Sequence, residues 1–270
     1  MINKVVYSYW SKPSKGKNVG FNSIKTFSNC ATLSVLNSKK WFDKVELVTD
    51  KKGYKLLIDK LKLPFDTVVV DLDKLNNIDK KHWAIGKLHA CSIQKEPFMH
   101  LDFDAIWFKK PPEKILKAKA CFQNWETNQY THVFYKPLME LCKKTPELKI
   151  HKYCDFKEIN ALCCGFIGFN DLSKIKLWYD LALDYIEKAG NKKQEISSIM
   201  FEQYFISNIL KYFKIPVTTL GDNWVEEDLA KKVGYTHLIA NSKREKHIEN
   251  KIKEKLKNTL PGQGQNQIIT

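Results

Sequence analysis

The sequence predicts an α/β protein built on a mostly parallel central sheet flanked by helices. Short apolar runs alternate with helical patterns over the first hundred residues, and three of the runs stop at aspartate. Such alternation implies βα units with the helices packed on both sheet faces. In sheets of this kind ligands bind beyond the C-terminal strand ends, which is where Asp50, Asp102 and Asp104 fall.

In chain order, Val5–Tyr9 reads as the first strand, and Ile24–Leu36 as a helix entered near Asn22-Ser23, with apolar residues at 24, 27, 31 and 35. Val45–Thr49 is the second strand, Tyr54–Leu61 a helix, and Thr67–Asp71 the third strand. Trp83–Ile93 is the next helix, leading to the strand Phe98–Asp102. The second half is mixed. Ala118–Gln123 reads as a strand, Thr131–Lys143 as a helix, and Asn160–Asn170 as a near-continuous buried strand carrying two glycines. Helical periodicity returns over 172–186 and 200–213. Residues 243–257 carry alternating charges around a narrow Ile248, Ile252, Leu256 stripe, a solvated helix with one docking edge. The segment from Pro261 is expected to be disordered, so the chain divides into a domain over 1–245 and a charged helix with a tail over 246–270.

At 270 residues with 43% hydrophobic and 12% aromatic content, the chain can bury a large core. No apolar run is long enough to span a bilayer, and the N-terminus lacks a signal-peptide pattern, so a cytoplasmic protein is expected. The net charge of +15 attracts anions, whether nucleotides, anionic acceptors or acidic lipid at a membrane surface. Of the 45 basic residues only Arg244 is arginine, which argues against specific nucleic-acid recognition. The seven cysteines show neither a disulfide framework nor paired zinc-ligand spacing. His151, Cys154, Cys163 and Cys164 read as core residues rather than a metal cluster.

The chemistry concentrates at Phe98-Met-His-Leu-Asp102-Phe-Asp104. Residues i and i+2 of an extended segment share a face, so both carboxylates can converge on one point. Hard oxygen ligands suit Mn2+ or Mg2+, which share substrate phosphates. The pattern alone is weak, because 15 aspartates make about one chance Asp-x-Asp pair expected. A second copy, Asp71-Leu-Asp73, reads as turn and helix-cap residues.

The order of the surrounding motifs resembles a GT-A fold glycosyltransferase, with features similar to the retaining glycogenin- and galactosyltransferase-like families. Trp83-Ala-Ile-Gly-Lys87 ahead of Leu-Asp-Phe-Asp resembles the nucleotide-sugar half. Asn160 to Gly168 resembles the strand lining the donor sugar, and Phe201-Glu202-Gln203 the acidic–Gln pair that follows it. Tyr235-Thr-His237 through Lys243 resembles the C-terminal segment supplying a third metal ligand and a phosphate contact, although Ala240 and Asn241 stand where glycine is frequent.

The resemblance implies metal binding by Asp102, Asp104 and His237, and a UDP- or other nucleotide-sugar donor. It implies donor contacts from Tyr7, Ser8, Trp10, Asp50, Lys87, Asp102, Asn160, Gly165 and Lys243. Glu202 or Gln203 would face the sugar, and Glu202 or Asp222 would serve as base if the reaction inverts. Retention is the expected outcome, with a glycan, glycolipid or protein as acceptor. Trp107, Trp125, Trp178 and Trp224 read as core or rim packing, with stacking on an acceptor sugar the alternative for Asn223-Trp224. Two other readings compete: a haloacid-dehalogenase-type phosphatase with a nucleophilic Asp102, and a basic protein binding RNA or anionic membranes.

Overall fold

A computed structural model of the chain describes residues 1–14, 18–126, 129–189, 197–221 and 229–259. Strand β1 (Lys4–Tyr9) leads to helix α1 (Ile24–Trp41), which returns to β2 (Lys44–Thr49). A short helical segment, Lys51–Tyr54 continued by a wide turn over Lys55–Lys60, precedes β3 (Thr67–Val70). Helix α2 (Ile85–Ser92) then leads into β4 (Phe98–Leu101) and, after a tight turn, β5 (Ala105–Trp107). The remaining elements are β6 (Ala120–Asn124), α3 (Gln129–Lys143), β7 (Phe166–Phe169), α4 (Ile175–Lys188), α5 (Phe205–Tyr212), β8 (Val217–Gly221), β9 (Tyr235–His237) and α6 (Lys246–Thr259). Among the described residues no helix is long and apolar enough to cross a membrane.

The main sheet runs β3-β2-β1-β4-β7-β6-β8. Every pair in it is parallel except the two made by β7, which runs opposite to both β4 and β6. The α/β class with a mostly parallel, helix-flanked sheet is therefore as expected. The strand order reverses at β1, which lies between β2 and β4, and that reversal opens a crevice at their C-terminal ends.

Period-2 alternation sorts side chains to two cores. Val5, Tyr7 and Tyr9 of β1 face one core with α1 and α6, while Val6 faces the other with α2, α3, α4 and α5. Helix α1 starts where Ser23 Oγ accepts the Thr26 amide at 3.0 Å, the side-chain cap that closes an otherwise unpaired donor. Ile252 and Leu256 of α6 are buried in the α1-side core, so the charged C-terminal helix is docked along its apolar stripe.

Three sequence expectations change. The strand expected over 160–170 is confined to Phe166–Phe169, with one isolated bridge between Leu162 and Trp125. The Gly165 carbonyl still accepts from the Asp102 amide in the β4–β7 register, but the Cys164 carbonyl accepts from Lys87 Nζ instead of a neighbouring strand. The apolar run past Asp104, to which the sequence assigned no element, forms β5, which pairs antiparallel with β9 as a separate ribbon. The helical period over 200–213 contains a wide π turn, Met200–Tyr204, before α5. The expected disordered tail from Pro261 lies outside the described residues.

Candidate active site

The β5–β9 ribbon brings the distant parts together. Ala105 pairs with His237, and the Leu238 amide donates to the Asp104 carbonyl at 2.9 Å. Trp107 and Tyr235, also paired, pack their rings at a tilt with centroids 4.7 Å apart in the core beneath. The ribbon register thus fixes His237 beside the second carboxylate. Asp102, Asp104 and His237 each offer one ligand atom, all within 4.8 Å of one another, and all three residues are partly buried. Two hard carboxylates and one imidazole in that span fit a divalent cation such as Mn2+ or Mg2+, leaving positions for phosphate oxygens.

Two lysines flank the carboxylates. Lys243, just beyond β9, contacts Asp104 Oδ2 through Nζ. Lys87, on α2, reaches Asp102 Oδ2 at 2.8 Å and Glu202 Oε1 at 2.6 Å. Glu202 rides on the π turn, a feature that recurs at functional sites, and is 1% exposed. Burial works against the charge on Lys87, but Asp102 and Glu202 outweigh it and hold its pKa well above the ordinary lysine value. Burial also raises Glu202, with Lys87 opposing. Burial and the neighbouring Asp104 raise Asp102 while Lys87 pulls it down. Burial disfavours the Asp104 charge too, yet Lys243 and His237 prevail and keep that carboxyl well below the usual range.

Gly165 lies at the start of β7, where the chain passes closest to the cluster. A Cβ there would stand 2.4 Å from His237 Nδ1 and 2.5 Å from Gln123 Oε1, so a larger residue would push both aside. Gln123 Oε1 accepts from the Tyr235 hydroxyl at 2.9 Å and pairs with His237 Nδ1 at 2.8 Å. Gln203, next to Glu202, receives the Tyr135 hydroxyl through Oε1.

The other residues singled out from the sequence are placed less centrally. Ser8 Oγ bonds His100 Nε2 at 2.8 Å at the end of β1. Trp10 is buried against α2, close over Gly86. Asp50 caps the Lys51–Tyr54 helix and takes both the amide and the hydroxyl of Ser11, at 2.9 and 2.6 Å, so its oxygens are committed to joining two strand ends. Tyr7 is enclosed in the core, its hydroxyl shared with Ser34 and Ser38 at 2.8 Å each, and it is not brought to the crevice. Asn160 turns its carbonyl toward Ser207 and Asn208 on α5. Asp222 and Trp224 lie outside the described residues.

Four residues at the site escaped the sequence reading. Gln123 and Tyr235 are one pair. His100 is the third: it sits 3.8 Å from Asp102 Oδ1, and burial and Lys87 push its pKa well below the usual value, leaving it neutral. Glu126, just past β6, is the fourth; burial raises its carboxyl, opposed by its hydrogen bond with Cys163. A polar residue inside a buried apolar run, as at Gln123 and His100, is the one signal that marks them in sequence.

Comparison with known proteins gives the following. No protein of curated function matches the sequence. Mouse xyloside xylosyltransferase 1, in its apo form, superposes with a TM-score of 0.49 at 10% identity, covering 90% of this chain and 99% of that one. The inositol-1-phosphate CTP transferase from T. maritima gives 0.45 at 10% identity, covering 95% and 96%. The apo-form glycosyltransferase GlyE of Streptococcus pneumoniae TIGR4 gives 0.40 at 10% identity, covering 81% and 45%. The sequence itself matches, over residues 3–269, the family described as a family of unknown function, DUF6734, and the chain belongs to that family.

Proposed function

We propose that this protein is a metal-dependent glycosyltransferase that moves a sugar from a nucleotide-diphosphate sugar, a UDP-sugar in the first instance, to the hydroxyl of a glycan, glycolipid or protein. One observation carries the reading. Asp102, Asp104 and His237 converge at the crevice where the strand order reverses, with the ammonium groups of Lys87 and Lys243 on either side. Asp102, Asp104 and His237 would hold a divalent cation, which would supply charge neutralisation for a departing nucleoside diphosphate. Lys243 stands at the same carboxylates to meet phosphate oxygens, and Lys87 holds Asp102 and Glu202 in register.

A retaining outcome is the reading that the likeness of the His237 segment favours. Buried and ion-paired to Lys87, Glu202 is a poor candidate for a free base that strips a proton from an incoming acceptor. Gln203, steadied by Tyr135, stands beside it.

The test is a thermal-shift and slow-hydrolysis panel of nucleotide sugars, with and without Mn2+, on wild type and Asp104→Asn. Mn2+-dependent stabilisation by one donor, and hydrolysis that disappears in the variant, is the expected result. Turnover of a phosphomonoester with no response to any donor would sink the proposal.

A further inference from the structure

We infer that Gln123 is a positioning residue: its side-chain oxygen locks His237 in the tautomer that leaves Nε2 unprotonated and aimed at the carboxylates. The inference deepens the metal-site reading and rests on it for its purpose, though not for its geometry. Gln123 is 3% exposed and sits in β6 among apolar neighbours, where a polar group must find partners. It finds two on one strand. Tyr235 and His237 are two residues apart on β9, share a face, and both meet the same Oε1, at 2.9 and 2.8 Å.

The Tyr235 hydroxyl donates its proton to the Gln123 oxygen at 2.9 Å, so the amide lies with its oxygen toward β9. The same oxygen then takes a proton only from His237 Nδ1–H, and the imidazole lone pair is left on Nε2. Nε2 lies 3.6 Å from Asp104 Oδ1, longer than an ordinary hydrogen bond. Gly165 completes the device by leaving room for the Nδ1–Oε1 contact. A turned amide would do the opposite: it would donate to Nδ1 and put a proton on Nε2, removing the imidazole as a ligand.

The experiment reads the tautomer without any metal. Selectively 15N-labelled histidine reports which ring nitrogen of His237 carries the proton. Mn2+ affinity is then measured by calorimetric titration on the same samples. Wild type is expected to show Nδ1–H. Gln123→Met, of similar length but without an acceptor oxygen, is expected to populate Nε2–H and to weaken Mn2+ binding about 10–100-fold. Gln123→Glu keeps an acceptor oxygen, and is expected to retain Nδ1–H and most of the affinity.

Nε2–H in wild type overturns the inference with no variant needed. So does Gln123→Met with unchanged tautomer and affinity. If Gln123→Met does not fold, the wild-type and Gln123→Glu spectra still decide. If the tautomer follows Gln123 as expected but wild type binds no Mn2+, the positioning assignment stands and the metal reading falls.

Discussion

At Gly165 a single hydrogen atom separates a working contact from a clash. Gly165→Ala is expected to cost about 1–3 kcal/mol of stability, the range for overpacking a filled site. Its larger effect falls on His237, whose displacement lowers Mn2+ affinity about 10-fold or more; thermal midpoints and metal titration on one sample separate the two. Lys87 shows the converse, a group whose removal harms its neighbours. Lys87→Met strands Glu202 and Asp102, and breaking a buried pair in this way costs about 3–5 kcal/mol. The sign of its pH dependence follows from Glu202, whose folded pKa lies above the unfolded one and rises further without Lys87. The variant is therefore most stable at acid pH, below the unfolded carboxyl value, and loses stability as pH rises through the folded value. Urea titrations at several pH values check this, and Lys87→Met combined with Glu202→Leu should abolish the slope contributed by Glu202.

Among the elements, the β5–β9 ribbon is the smallest and the most consequential. Trp107, fully buried, packs against the tilted ring of Tyr235 and ties the ribbon to the core beneath it. Trp107→Ala is expected to cost about 3–5 kcal/mol. Hydrogen exchange at the Leu238 amide, which bonds the Asp104 carbonyl, should quicken more than exchange in β1; equal quickening throughout would mean that the ribbon does not open on its own. The ribbon also shows what a sequence conceals. Strands β1 to β4 were legible because each is a short apolar run, three of them stopping at an aspartate. Strand β5 was not, since three apolar residues before a turn look the same whether or not another strand lies beside them. Strand β8 was missed because Val-Thr-Thr-Leu-Gly is half polar and its partner, β6, lies almost a hundred residues earlier. The run 160–170 was read too long, because apolar content signals burial and not pairing. Asp102, Asp104 and His237 could be named from their motif, whereas Gln123 and Tyr235 act only through the register of β9.

For the whole molecule, the net charge of +15 carries a measurable consequence for anionic ligands. The Debye length falls from about 10 Å at 0.1 M salt to about 3 Å at 1 M. Association with a diphosphate-bearing donor should slow across that range, while the buried pairs at Lys87 keep the thermal midpoint nearly constant. Stopped-flow association at several salt concentrations tests it, and a salt-independent rate would confine the attraction to the two site lysines. The same molecule-wide view bears on how the crevice is first put together. Asp104 and Lys243 are 139 residues apart in the chain. At about 5–20 residues per second, a ribosome delivers the carboxylate about 7–30 seconds before the lysine. The first four strands can pair in that interval, but the acidic end of β4 waits without its partners. The birth of the site is thus timed by the translation of β9 and Lys243, and a nascent chain cut short before β9 carries the first strands without His237 and Lys243.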